Sequence, residues 1–227
     1  MKITYYGHSS ILVEENGTRV IIDPFLSGNP GSGIKPEDVQ VDAVVLTHGH
    51  SDHYGDCIEI AKQNDCPIIA VYELAVYCAN QGVKSHGMNT GGSAQFDGFK
   101  VKFTPALHSS SISVGDSWVY AGPACGVLLT MGDRTLYHAG DTSLFGDMRL
   151  IGEMNHIDAA VLPIGDMLTM GPADALLAAQ WVRTKHVIPV HYNTFPAISQ
   201  DADAFCSDLA KAGIKGHPLK AGESLQL

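Results

Sequence analysis

Val41-Asp42-Ala43-Val44-Val45-Leu46-Thr47-His48-Gly49-His50-Ser51-Asp52-His53 decides how this chain is read, because an apolar run ends in six residues that hold three of its 11 histidines and a carboxylate. Val41 to Leu46 reads as a strand leaving a core. Period-two geometry then puts His48 and His50 on the same side of its carboxyl end, where they can share one ion. Asp52 and His53 fall in the following turn, ahead of a helix expected over about 54 to 63, and face back toward a second position. Neutral imidazole and carboxylate together suit borderline divalent cations, Zn2+ first, with Mn2+, Fe2+ and Ni2+ compatible. Spacing alone thus makes two ions plausible.

Outward from this window the chain reads as alternating strands and helices. Lys2–Tyr6, Ser10–Val13 and Arg19–Ile22 are successive strands joined through the Glu15-Asn16-Gly17 turn. Pro67–Val71 is a further strand, and Glu73–Gln81 a helix stopped by Gly82. Strands are expected near 93–97, 100–107, 125–131, 134–138, 158–162 and 186–190, and helices near 173–183 and 201–212. Ser27 to Gly33 is a loop by composition, and no strand, glycine-rich turn and lysine follow one another there as a phosphate cradle requires. Ser109 to Gly126 leaves two readings open: a loop over a cleft, or a hairpin whose Trp118 and Tyr120 enter the core.

The spacing His-x-His-x-Asp-His resembles the signature of the metallo-β-lactamase superfamily, and the resemblance extends over essentially the whole chain. It implies a four-layer αββα sandwich, read here as one domain over residues 1–227. It also implies further ligands at strand ends. His108 follows the alternating run Lys100-Val101-Lys102-Phe103, Asp141 lies in Ala139-Gly140-Asp141-Thr142, and His191 closes His186-Val187-Ile188-Pro189-Val190. By the resemblance His48, His50 and His108 hold one ion, Asp52, His53 and His191 the other, and Asp141 bridges both. A carboxylate at the bridging region, with no cysteine nearby, departs from the antibiotic-hydrolysing lactamases. It points to the glyoxalase, lactonase and phosphodiesterase branches.

Gly7-His8-Ser9 resembles an element of the branch related to ascorbate-phosphate lactonases and to the phospholipase D that releases N-acylethanolamines, which places His8 at the cleft or beside a ligand. Asp23 matches the family's strand-ending Asp and is expected to accept a bond from a ligand imidazole. His138 is expected behind the ligands rather than among them. Leu162-Pro163-Ile164-Gly165-Asp166 and Thr169-Met170-Gly171-Pro172 are expected to wall the cleft, with Asp166 either at the substrate or in a turn.

Together these imply a binuclear metal-dependent hydrolase in which a bridging water, made acidic by two ions, attacks a small ester, lactone or phosphoester. Asp52 would orient that water and take its proton, and His8 or a cleft Tyr would protonate the leaving group. Two other readings are a tRNA 3'-processing type of phosphodiesterase, which has the same ligand set, and a non-catalytic metal-binding scaffold. The net charge of −10 and the lack of a basic stripe or glycine-rich arm argue against a nucleic-acid partner, and intact ligand spacing argues against a scaffold that has lost its metal. Five cysteines without a Cys-x-x-Cys pair read as free thiols of a reducing compartment. With no export signal or run of about 18 apolar residues, a cytoplasmic location without membrane insertion is expected. A small-molecule substrate is the expected partner, and self-association of the chain is left open.

Overall fold

The computed structural model describes residues 1–227. Two seven-stranded sheets form its centre. The first holds β1 (Lys2–Gly7), β2 (Ser10–Glu15), β3 (Thr18–Ile22), β4 (Ala43–Val45), β5 (Ile68–Val71) and β6 (Ser85–Met88), with β16 (Ser224–Gln226) added at its edge in the order β16-β1-β2-β3-β4-β5-β6. The second holds β7 (Ser93–Phe96), β8 (Phe99–Pro105), β11 (Cys125–Met131), β12 (Arg134–His138), β13 (Ala159–Pro163), β14 (His186–Val190) and β15 (Lys215–Gly216) in the order β15-β14-β13-β12-β11-β8-β7. Between them in sequence, β9 (Ser111–Val114) and β10 (Ser117–Tyr120) make a separate two-stranded ribbon. The helices are α1 (Ser51–Tyr54), α2 (Cys57–Asn64), α3 (Tyr72–Asn80), α4 (Met148–Met154), α5 (Pro172–Trp181) and α6 (Ala202–Lys211).

Why the sheets stack is legible in their alternation. Val127, Leu129, Val161, Ile188 and Val190 join a core shared with Val20, Ile22, Val44 and Leu46 of the first sheet. Their neighbours Leu128, Ala160, Leu162 and Val187 point the other way, into a second core with Met148 of α4, Ala175 and Ala178 of α5 and Phe205 of α6. Opposite faces of one strand therefore feed two apolar layers, which a strand buried on both sides must do. On the outer side of the first sheet, Ile60 of α2 and Leu74 of α3 complete the packing. This is the αββα sandwich expected from the sequence.

The sequence reading had no counterpart for α4, β6, β15 or β16, and two of the elements it did expect differ. The helix expected over 54 to 63 is two helices, and the first turn begins inside the metal motif at Ser51. Gly55 breaks them at φ +41°, where a Cβ would lie 2.3 Å from the Pro24 carbonyl oxygen. The break lets Asp56 donate its N–H to Pro24 and accept from the N–H groups of Leu26 and Ser27. Ser109 to Gly126 is a hairpin, but Trp118 and Tyr120 stand exposed instead of in the core. Cys57, Cys66, Cys78, Cys125 and Cys206 are all free, the first four buried. No helix is long and apolar enough to cross a membrane.

Gly152, inside α4, faces the end of α5. A Cβ there would sit 2.3 Å from the Trp181 carbonyl oxygen and 2.6 Å from the Val182 backbone, neither of which can rotate away. Gly152→Ala is expected to cost about 1–3 kcal/mol, the usual range for overpacking, despite the better helix propensity of alanine. Urea denaturation checks this, and an unchanged midpoint would show that α4 shifts freely.

Candidate metal centre

β4 emerges between β3 and β5 and delivers Thr47 and His48 just past its carboxyl end. Asp23, at the end of β3, holds this corner. Its carboxylate accepts from the Thr47 backbone N–H at 2.8 Å, the Thr47 hydroxyl at 2.6 Å and His53 Nδ1 at 2.7 Å. Because the Thr47 hydroxyl has spent its proton on Asp23, it can only accept from His48 Nδ1, 3.0 Å away. His48 and His53 thus both carry their proton on Nδ1 and turn an Nε2 lone pair inward, that of His48 toward His50 Nδ1 at 3.0 Å. Asp23 performs the expected orienting role on His53 directly and on His48 through Thr47.

The seven residues proposed from sequence as ligands converge. Nitrogens of His48, His50 and His108 lie within 4.8 Å of one another, and so do ligand atoms of Asp52, His53 and His191, joined there by His8. Asp141 faces both groups: Oδ1 is 3.2 Å from His53 Nε2, and Oδ2 is 3.1 Å from His191 Nε2 and 3.6 Å from His108 Nε2. His53 Nε2, Asp141 Oδ1 and His191 Nε2 are buried, yet none has a hydrogen-bond partner. Buried polar atoms are almost always satisfied, so close lone pairs aimed at common points without hydrogen bonds fit a cation-binding donor set. The chemistry of the set, imidazoles with two carboxylates, fits borderline divalent metals.

Electrostatics agree. Burial disfavours charge on Asp141, but His53 and His191 outweigh it and hold the carboxyl well below the usual range. Burial likewise opposes a charged His53, and Asp141 with Asp23 overcomes it and raises the imidazole pKa. His191 is raised to about 9 against burial by the same Asp141, with help from Asp52. The carboxylates therefore favour positive charge at this point, which a bound cation would supply in place of a proton on these imidazoles. His48, which has no carboxylate so close, is pushed down by burial and then by His53.

Several site residues adopt left-handed backbone. His8 (φ +55°), Asp23 (+48°) and His191 (+54°) are non-glycine residues in a region that costs energy and recurs at functional sites. Gly140 (φ +64°) has no room for a Cβ, which would meet the Cys125 carbonyl oxygen at 2.7 Å. His138 lies behind the candidate ligands: its Nε2 donates to the Ser9 carbonyl and its Nδ1 accepts from the Gly140 N–H, which steadies the turn that presents Asp141.

His8 lies beside Asp52, one of the two places read for it, and not in the cleft where it could reach a leaving group. Its side chain is wholly buried behind Asp52, itself 23 % exposed. His8 Nε2 lies 3.2 Å from Asp52 Oδ2 and Nδ1 lies 2.9 Å from the Thr194 hydroxyl. A carboxylate only accepts, so Nε2–H donates to Asp52 and Nδ1 accepts from Thr194. Burial pushes the His8 imidazole down to about 4, which suits this neutral form. Thr194 is a contributor that sequence reading missed, since nothing marks a threonine 186 residues away in sequence as a partner of His8. Asp166 lies in a turn, donating to Met170 and accepting from Thr169, and its neighbour Leu168 reaches the cleft instead.

The cleft above these candidate ligands has a volume of about 410 Å³ and is lined by His50, Asp52, His108, Asp141 and His191, by Ser51, Ser109 and Ser111, and by Trp118 and Leu168. No lysine or arginine lines it.

An αββα sandwich with imidazoles and carboxylates gathered at the sheet ends defines a metal-dependent hydrolase of the metallo-β-lactamase superfamily, and residues 18–192 match the family model described as Beta-lactamase superfamily domain. Relatives along the full length sharpen this. A UPF0173 metal-dependent hydrolase of Bacillus subtilis, YtkL, is 55 % identical and one of Bacillus cereus 53 % identical, each aligned over 100 % of both chains. Igni18, a metallo hydrolase of Ignicoccus hospitalis, superposes with a TM-score of 0.90 at 38 % identity, covering 99 % of this chain and 97 % of its own. The chain belongs to the UPF0173 family of metal-dependent hydrolases.

Proposed function

We propose that the chain, acting as one domain over residues 1–227, is a binuclear hydrolase of small esters, lactones or phosphoesters in the cytoplasm, with Zn2+ as its first-choice metal. The observation that carries this reading is the placement of Asp141 between two groups of donors, His48, His50 and His108 on one side and Asp52, His53 and His191 on the other. Residues of both sheets contribute, which is why the whole chain is taken as the functional unit. When bound, two divalent ions would supply an acidified water and an electrophile for the oxygen that gains charge.

The chain's own residues do the rest. Asp52 is partly exposed to the cleft and accepts the proton that water loses as its oxygen bonds to the scissile carbon or phosphorus. That proton passes to the departing oxygen as its bond breaks, so an ester gives one acid and one alcohol. His8 is a positioning residue, holding the Asp52 carboxylate through Nε2–H while Thr194 holds His8. Asp23 fixes the inward lone pairs of His48 and His53.

Cleft volume and charge support a small substrate. Some 410 Å³ lies within the range of small-molecule sites, and a lining without lysine or arginine offers nothing to a run of phosphates. The metal-loaded protein is expected to hydrolyse neutral or singly phosphorylated esters or lactones, with a shallow dependence on ionic strength. A polynucleotide engaged through many phosphates would instead show affinity falling steeply with salt. Efficient cleavage of pre-tRNA with a steep salt slope, and no turnover of any small ester, would replace this reading by the tRNA-processing one.

A further inference from the structure

The ribbon β9–β10 is clamped at its base and open at its tip. Gly49, between His48 and His50, accepts it: a Cβ at Gly49 would lie 2.6 Å from Ala121 Cβ, 3.0 Å from Ile112 and 3.2 Å from the Ser111 carbonyl oxygen. The Gly49 N–H donates to Ser110, and Ile112 and Ala121 are buried there. The absent side chain at Gly49 thus seats the ribbon directly on the metal motif. Cross-strand pairing puts Trp118 opposite Ser113 and Tyr120 opposite Ser111, so these four share one face, while Ile112 and Val119 share the other. Ser111 and Trp118 of the first face line the cleft.

Trp118 is 71 % exposed, and Leu168, from the loop after β13, lines the same cleft and is 51 % exposed. Two large apolar side chains held in water beside a catalytic cleft are an unfavourable arrangement that an apolar ligand would relieve. They come from different loops, each anchored: the ribbon through Gly49, and the Leu168 loop through the Met170 N–H donated to Thr142, next to Asp141. Below them lie serines and the ligand groups, and no basic residue lines the cavity.

We propose that Trp118 and Leu168 form an apolar subsite at the mouth of the cleft, which selects uncharged substrates whose reacting ester lies at the metals and whose hydrocarbon chain lies along these two side chains. This rests on the hydrolase reading above and names its substrate class. Trp118 and Leu168 are specificity-determining residues with no part in bond breaking.

The test uses the metal-loaded protein with ethyl acetate, butyrate, hexanoate and octanoate, followed by acid release, and with the matching alkyl ketones, which bind but cannot be hydrolysed. Burial of one methylene corresponds to about a fourfold gain, so kcat/KM is expected to climb about fourfold per CH2 through hexanoate, mainly through KM. Ketone affinity, read from the fluorescence of Trp118, should climb in parallel. Trp118→Ala should lose about tenfold or more in kcat/KM on hexanoate and less than twofold on acetate, with metal content unchanged, and Trp118→Phe should restore most of the loss. Leu168→Ser should act in the same direction, and calorimetry follows ketone binding in the tryptophan variants. Ketones bound with chain-length preference but no ester hydrolysed would support the subsite and overturn the ester reading alone. Esters hydrolysed without chain-length preference, or with equal losses on acetate and hexanoate in Trp118→Ala, would overturn the subsite and leave the hydrolase. Neither hydrolysis nor graded ketone binding would overturn both.

Discussion

Asp141→Ala is expected to empty both metal positions at once and to lower activity by at least about 100-fold, the scale on which even the outer partners of metal ligands matter. The reason is geometric. Asp141 Oδ1 lies by His53, and Oδ2 lies between His191 and His108, so one side chain serves both groups of donors. Removing it also takes from His53 and His191 the carboxylate that raises their pKa values most, leaving Asp23 and Asp52 to act on them. Elemental analysis of protein purified without chelator should fall from about two metals per chain to near none. His86→Ala is the matching control: His86 stands exposed on β6 with its ring against Phe96, and it does not line the cleft. Equal losses of metal and activity at the two positions, with both proteins folded, would mean that the ligand set is misassigned.

Asp52→Asn should separate chemistry from architecture. The amide oxygen can still accept from His8 Nε2–H, so His8 and Thr194 keep their places, but the group no longer takes a proton. Loss of a positioned general base costs about 10²–10⁴-fold, and kcat is expected to fall by that much while metal at the His48, His50 and His108 group persists. His8→Ala should lower kcat less, because Asp52 would retain its charge and lose only its orientation. Full kcat in Asp52→Asn at normal metal content would remove Asp52 from the reaction.

Much of this architecture was readable from residue order. The alternation in β8 marked that strand closely, because a strand with one face toward solvent repeats with period two, whereas β11, buried on both faces, reads as a near-continuous apolar run. Helix boundaries inside the metal motif were not readable. Gly55 looks like any turn glycine until Pro24 is seen pressed against it, and α1 starts at Ser51 only because the chain must then turn to reach Pro24 and Leu26. Trp118 and Tyr120 alternate as core residues would, yet the ribbon has one partner strand and no layer over that face, so they remain in water.

The sequence by itself determined the fold class and the set of chemically able residues, because periodicity and the spacing of His48, His50, Asp52 and His53 are local properties that survive without tertiary context. Only the tertiary structure decided what those residues face. His8 resembled a cleft residue in sequence and stands behind Asp52, held by Thr194 from the far end of the chain. Asp141, His108 and His191 meet His53 because three strand ends of the second sheet are brought over two of the first. Whether a titratable side chain touches solvent, a ligand or another side chain depends on such packing between segments far apart in sequence, which no local pattern encodes.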